Sequence, residues 1–154
     1  SVVLTFPDDN KANNAVSGYT QKWVAKKDAV EFDIANFNNN GWKNDWTYIK
    51  CGSSKAASVA SIATKSVIAN KIDKVVIFSS SYAAGNVNSA KLFVSAKADF
   101  AGAEGVDMTS SNGKLTAPVA TPGENLYYKV VFDCQKGSKN GFVVVDKFVL
   151  WVNK

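Results

Sequence analysis

The sequence predicts an all-β fold, two antiparallel sheets packed as a sandwich, and three observations carry that reading. Apolar residues recur with period two rather than 3.6 along almost the whole chain. Roughly nine to eleven short alternating runs are separated by turns rich in Gly, Asn, Asp and Ser, the spacing of a sandwich or barrel. Hydrophobic residues make up 46% of the 154 and charged residues 20%, enough apolar surface to fill one core at this length. Residues 1–154 are therefore expected to form one β-sandwich domain.

Taken in order, Val2-Leu4-Phe6 alternate as a first strand, stopped by Pro7 and the turn cluster Asp8-Asp9-Asn10. Residues 11–18 are small and polar and read as loop, and Tyr19 to Val24 as a second strand. Val30, Phe32 and Ile34 alternate with Glu31 and Asp33, the pattern of a half-buried strand. A long polar turn, Asn36 to Trp42, precedes extended chain from Trp46 to Cys51. Ala56 to Ile62 is small and β-branched, so it reads as a packed strand, with a short helix over 55–63 as the alternative. Ile72 to Phe78, Lys91 to Ser95, Leu126 to Cys134 and Phe142 to Val152 are the clearest strands. The last two are apolar on both faces, which predicts cover on both sides. Lys136 to Gly141 between them ends in Asn-Gly and predicts a hairpin. Ala101 to Gly113, with three glycines, reads as an excursion at a sheet edge. The first and last strands are expected to pair, Val2-Leu4-Phe6 against the Phe148-Leu150-Val152 region.

Composition narrows the chemistry. The chain has no His, and all 18 basic residues are Lys. Without imidazole there is no Ser-His-Asp or Cys-His catalysis, no His metal site and no side chain that titrates near neutrality by default. A net charge of +5 invites polyanions. Yet Arg, the fork that reads guanine edges and clamps phosphate, is absent, and only Lys26-Lys27 are adjacent, so specific nucleic-acid binding is not expected. No apolar run reaches membrane-spanning length. No basic-then-apolar leader opens the chain, so a processed chain or an excised domain is expected.

The strand near Val75–Phe78, then Lys91-Leu92-Phe93-Val94-Ser95, Tyr127 to Asp133, and Gly141 to Leu150 with its "aromatic, apolar, Asp, apolar" close, resemble galactose-binding-like jelly rolls. These are accessory sandwiches of many secreted bacterial proteins. The resemblance covers the C-terminal half and implies a jelly-roll-like sandwich, a secreted or cell-surface location and a place in a larger multidomain protein. It also implies a glycan or polysaccharide partner. Asp146 stands where such folds place a structural calcium ligand, although the first strand here lacks the acidic residue that usually joins it.

Within that frame, Asn36 to Trp46 is the candidate glycan site: five Asn, Lys43, Asp45 and two Trp in eleven residues. Sugars present C–H faces to an aromatic ring and hydroxyls to amides and charges. Trp42 is expected to be exposed as the stacking platform, with Trp46, Asn38, Asn40, Lys43 and Asp45 around it. Tyr82, in the polar loop Ser79 to Asn88, is a second aromatic candidate. Paired carboxylates for a glycosidase could come from Asp8, Asp9, Asp45, Glu104, Asp107 and Glu124, but turn formation accounts for each, so no catalytic residue is assigned. Cys51 and Cys134 both fall on inward strand positions. They would form either a disulfide closing a loop of roughly 80 residues, worth roughly 4 kcal/mol, or two buried thiols. The expected function is a non-catalytic carbohydrate-binding module with no cofactor beyond that calcium; the alternative is a structural or adhesive domain without a small ligand.

Overall fold

The computed structural model describes residues 1–11 and 16–153. Its strands are β1 (Val2–Thr5), β2 (Lys22–Lys27), β3 (Val30–Ala35), β4 (Ile49–Cys51), β5 (Ser58–Thr64), β6 (Ile72–Phe78), β7 (Val87–Ser95), β8 (Val106–Asp107), β9 (Thr109–Ser111), β10 (Lys114–Pro118), β11 (Tyr127–Cys134), β12 (Val143–Val145) and β13 (Lys147–Val152). One sheet runs β1-β13-β6-β10-β9 and the other β2-β3-β5-β11-β7-β8. All pairings are antiparallel. Because consecutive strands repeatedly change sheet, this is a two-sheet antiparallel sandwich of jelly-roll-like build. A two-stranded ribbon, β12-β4, stands beside the two sheets. Among the described residues no helix is long and apolar enough to cross a membrane.

Period-two patterning decides which face each strand buries. On β11, Tyr128, Val130, Phe132 and Cys134 face inward, and on β13 Phe148 and Leu150 do the same. Ring edges join the core: Phe32 of β3 meets Phe148 of β13 across the two sheets at 5.8 Å, and Phe37, just after β3, meets Phe132 of β11 at 6.2 Å. β1 pairs with β13, with Leu4 opposite Phe148. The segment over 55–63 forms strand, not helix. Ala60 and Ile62 point inward at spacing two, and β5 is bonded to β3 on one side and β11 on the other.

Two expectations from the sequence need correction. Lys136 to Gly141 does not close a hairpin, because β11 lies in the six-stranded sheet whereas β12 pairs with β4. Asn140 instead accepts from the Ser54 backbone N–H at 2.8 Å and ties this loop to the end of β4. The closing run is covered on both faces as far as Leu150, with outward Val149 only 4% exposed, but not as one strand and not to its end. The expected long strand breaks at Asp146, and Trp151 on its outward face is 44% exposed. The expected edge excursion does occur. β8 borders one sheet and β9 the other, and the β9–β10 turn uses Asn112 and Gly113, both at positive φ.

The two outer faces differ in charge. On the six-stranded sheet, outward strand positions balance Lys22, Lys26, Lys91 and Lys129 against Glu31, Asp33, Asp107 and Asp133. On the five-stranded sheet, Lys74, Lys114 and Lys147 point outward, and the one acid in its strands is Asp73, exposed beside Lys74 where the β6–β13 register shifts.

Candidate functional site

The Asn36–Trp46 loop is built from the inside out. Residues 40–44 form a 3-10 turn, closed by Asp45 in the left-handed region, where its N–H reaches the Gly41 and Trp42 carbonyls. Trp42 is not exposed: only 4% of its surface meets solvent. Its indole stacks 6.4 Å from Phe6, meets the edge of Trp23 at 5.6 Å and donates to the Tyr48 carbonyl at 3.3 Å. It is therefore a core side chain and cannot serve as the stacking platform the sequence suggested. Trp46 lies flat on Gly41, where any Cβ would fall inside the ring. It also stacks on Tyr48 at 4.8 Å and carries the Lys50 ammonium 4.3 Å from its centroid. These contacts leave Trp46 half-buried.

Two of the amides brace the loop from inside. Asn38 is buried, donates to the Ser17 carbonyl at 2.8 Å and accepts from the Asn40 N–H at 2.9 Å. Asn38 is thus a loop brace rather than a ligand contact. Asn39 is buried and accepts from the Val16 N–H at 2.7 Å, while its Nδ2 has no hydrogen-bond partner. Asn40, Lys43 and Asp45 do lie together, around a depression of about 660 Å³ that also has Asp9, Lys11 and part of Trp42 on its border. Residues 12–15, part of the expected loop over 11–18, lie outside the described residues. Tyr82 sits on the opposite edge of the β4–β12 ribbon from this loop. Tyr82 bridges Val143, and Asn38 bridges Lys50. Half-buried against the core, its phenol is shifted upward in pKa by that burial.

Asp146 accepts from the Ser80 N–H at 2.6 Å. The carboxylate of Asp8 turns to β2 instead, accepting from Lys26 N–H at 2.7 Å and Asn10 N–H at 3.1 Å. No group of three His, Cys, Asp or Glu side chains suited to a metal ion occurs among the described residues. Cys51 and Cys134 are buried free thiols brought into contact from β4 and β11. The two thiols are neighbours, and that of Cys134 donates to the Phe132 carbonyl at 3.9 Å. Burial pushes the Cys51 thiol up.

A second opening lies where no sequence motif pointed. Strand register lines up Ala35 with Ser61, and Asp33 with Ala63 and Lys129, on the outer face of the six-stranded sheet. These small side chains leave a groove of about 570 Å³ crossing β2, β3, β5 and β11. Lys22 and Val24 border it at one end, and Asp99 and Phe100 from the β7–β8 loop overhang the other. Phe100 is held at φ 57 between two turn hydrogen bonds, its N–H to Lys97 and its carbonyl from Ala103. Such a backbone is costly for an aromatic residue and persists only where surroundings fix it. Tyr127 packs against the Phe100 ring edge-on at 6.3 Å, and the Lys129 ammonium sits 5.7 Å from its centroid. Of the residues singled out from the sequence as ligand-binding, none borders this groove. The one available signal was a lone aromatic in the small, polar run Ala98-Asp99-Phe100-Ala101-Gly102.

No protein-family model matches this chain, and no curated protein is significantly similar to it.

Proposed function

We propose that this sandwich is a non-catalytic carbohydrate-binding module, of the galactose-binding-like kind, that holds a stretch of neutral polysaccharide across its six-stranded sheet. The observation that carries the reading is the groove floored by Ala35, Ser61 and Ala63 and overhung by Phe100. Its size falls in the range of ligand sites, and its make-up suits a sugar chain. Small side chains let pyranose rings approach the sheet, an aromatic ring at one end can stack on C–H faces, and Lys22, Asp33, Lys65 and Lys129 can bond to hydroxyls. Near-balanced charge on this face favours an uncharged chain. Support for a binding rather than a catalytic role comes from the acids present. Asp33 is exposed on a flat sheet face, and Asp99 is engaged with the Ala101 N–H at 3.0 Å. In this reading the domain is an accessory part of a larger secreted or cell-surface protein.

Retardation in native gels containing soluble xylan, galactomannan, mixed-linkage β-glucan or hydroxyethylcellulose tests the proposal. The wild-type protein is expected to be retarded by at least one of them, and Phe100→Ala to lose most of that retardation while its unfolding midpoint stays unchanged. Retardation by none of the four would favour the structural or adhesive reading instead. Retardation untouched by Phe100→Ala would move the site off this groove.

A further inference from the structure

The outer face of the five-stranded sheet has a different chemistry. Phe78 on β6 has Lys147 of β13 and Lys114 of β10 as its direct cross-strand neighbours. Their ammonium groups lie 4.5 and 5.2 Å from its ring centroid, so one ring holds two cations. Four residues back on β6, about 13 Å along the strand at its usual rise, Lys74 faces Trp151 and rests 4.7 Å from that ring. Between these two stations lie Val76 and Val149, each only 4% exposed although they point away from the core. In register they face each other, with Val3 beside Val149 and Thr116 beside Val76.

Among the described residues no carboxylate forms an ion pair with these three cations; the only ion pair there is Lys27 with Asp9, elsewhere in the fold. Two acids adjoin them in the chain, Asp73 before Lys74 and Asp146 before Lys147, and each bonds to a neutral donor: Asp73 accepts from the Asn153 amide at 2.6 Å, and Asp146 from the Ser80 N–H. Gathering like charge over an apolar floor costs free energy, and an anion that spans the two stations relieves that cost. Thr116 and Thr109, adjacent in register on the same outward face, add hydroxyl groups beside the cations.

From this arrangement we propose that the outer face of the five-stranded sheet binds a linear anionic polysaccharide, its carboxylate or sulfate groups meeting the Lys114–Phe78–Lys147 station and the Lys74–Trp151 station. Single-stranded nucleic acid is the less suited polyanion. Its bases need open aromatic faces, whereas Phe78 is flanked by ammonium groups, and no guanidinium is present to fork a phosphate. The site is independent of the groove on the opposite sheet.

The test uses polygalacturonate for carboxylate and chondroitin sulfate for sulfate, with poly(dT) as the competing polyanion, in the same retardation gels at several salt concentrations. Lys114→Gln/Lys147→Gln is compared with Lys136→Gln/Lys139→Gln, which removes equal charge from the exposed loop after β11. The expected result is binding to at least one anionic glycan, weakened tenfold or more by the first pair and less than twofold by the second. The salt dependence should become shallower only in the first pair. Phe100→Ala should leave this binding intact, which separates it from the groove. Equal loss from both pairs would reduce the effect to net charge and overturn the proposal. So would tighter binding of poly(dT), or no binding to either glycan.

Discussion

Trp42→Ala offers the clearest check on how the Asn36–Trp46 loop is built. If the indole were a surface platform, its removal would shift stability by no more than about half a kcal/mol. Its burial to 4%, its ring contacts with Phe6 and Trp23 and its hydrogen bond to the Tyr48 carbonyl place it among core aromatics instead. Truncating such a side chain costs about 3–5 kcal/mol, from lost transfer free energy and the cavity left behind. For a domain of this length that corresponds to a fall in Tm of roughly 6–20 °C. Urea unfolding followed by far-UV circular dichroism measures it without relying on the three remaining tryptophans. A loss under about 1 kcal/mol would refute the burial argument and restore Trp42 as a surface residue.

Two further outcomes follow from buried titratable groups. Asp8 is 4% exposed, and burial, the largest influence on it, holds its carboxyl above the ordinary range despite its two backbone hydrogen bonds. The native state therefore binds its proton at higher pH than the unfolded chain does. The ionised form weakens the fold above the native pKa, and that loss is recovered as pH falls through it toward 3.8. Asp8→Asn keeps an acceptor for Lys26 and Asn10, so it should match or exceed wild-type stability at pH 7. Its advantage should shrink as the wild type gains on acidification; an advantage that widens below pH 5 would contradict the sign. Cys51 and Cys134, buried and raised at Cys51, should resist iodoacetamide at pH 8 in the native protein and both react after denaturation without reductant. Intact mass reads the number of adducts, and a denatured chain that takes up none would show a disulfide instead.

Much of the sandwich was legible because strand burial follows a local rule. Ile72–Phe78 and Tyr127–Cys134 alternate or run apolar with turn residues at both ends, and the β1–β13 pairing follows from two apolar strands that each need a partner edge. Asp146 was harder. It breaks one apolar run into β12 and β13 because its neighbours belong to different sheets, and no periodicity records sheet membership. Trp42 misled for a related reason. A tryptophan beside Gly41 in a polar turn looks exposed, but its partners are Phe6, just after β1, and Trp23 of β2, far away in sequence. The groove is less legible still. Ala35, Ser61 and Ala63 are unremarked small residues on separate strands until register sets them side by side under Phe100.

The most direct test of the groove is a titration of ¹⁵N-labelled protein with hexasaccharides of xylan, mannan and mixed-linkage β-glucan, read by amide chemical shifts. If the six-stranded sheet holds the glycan, one of these ligands moves the amides of Ala35, Ser61, Ala63, Phe100 and Lys129 together and leaves those of Asn40, Lys43 and Asp45 in place. Shifts confined to the Asn40–Asp45 depression, or no saturable shift with any of the three, would contradict the account.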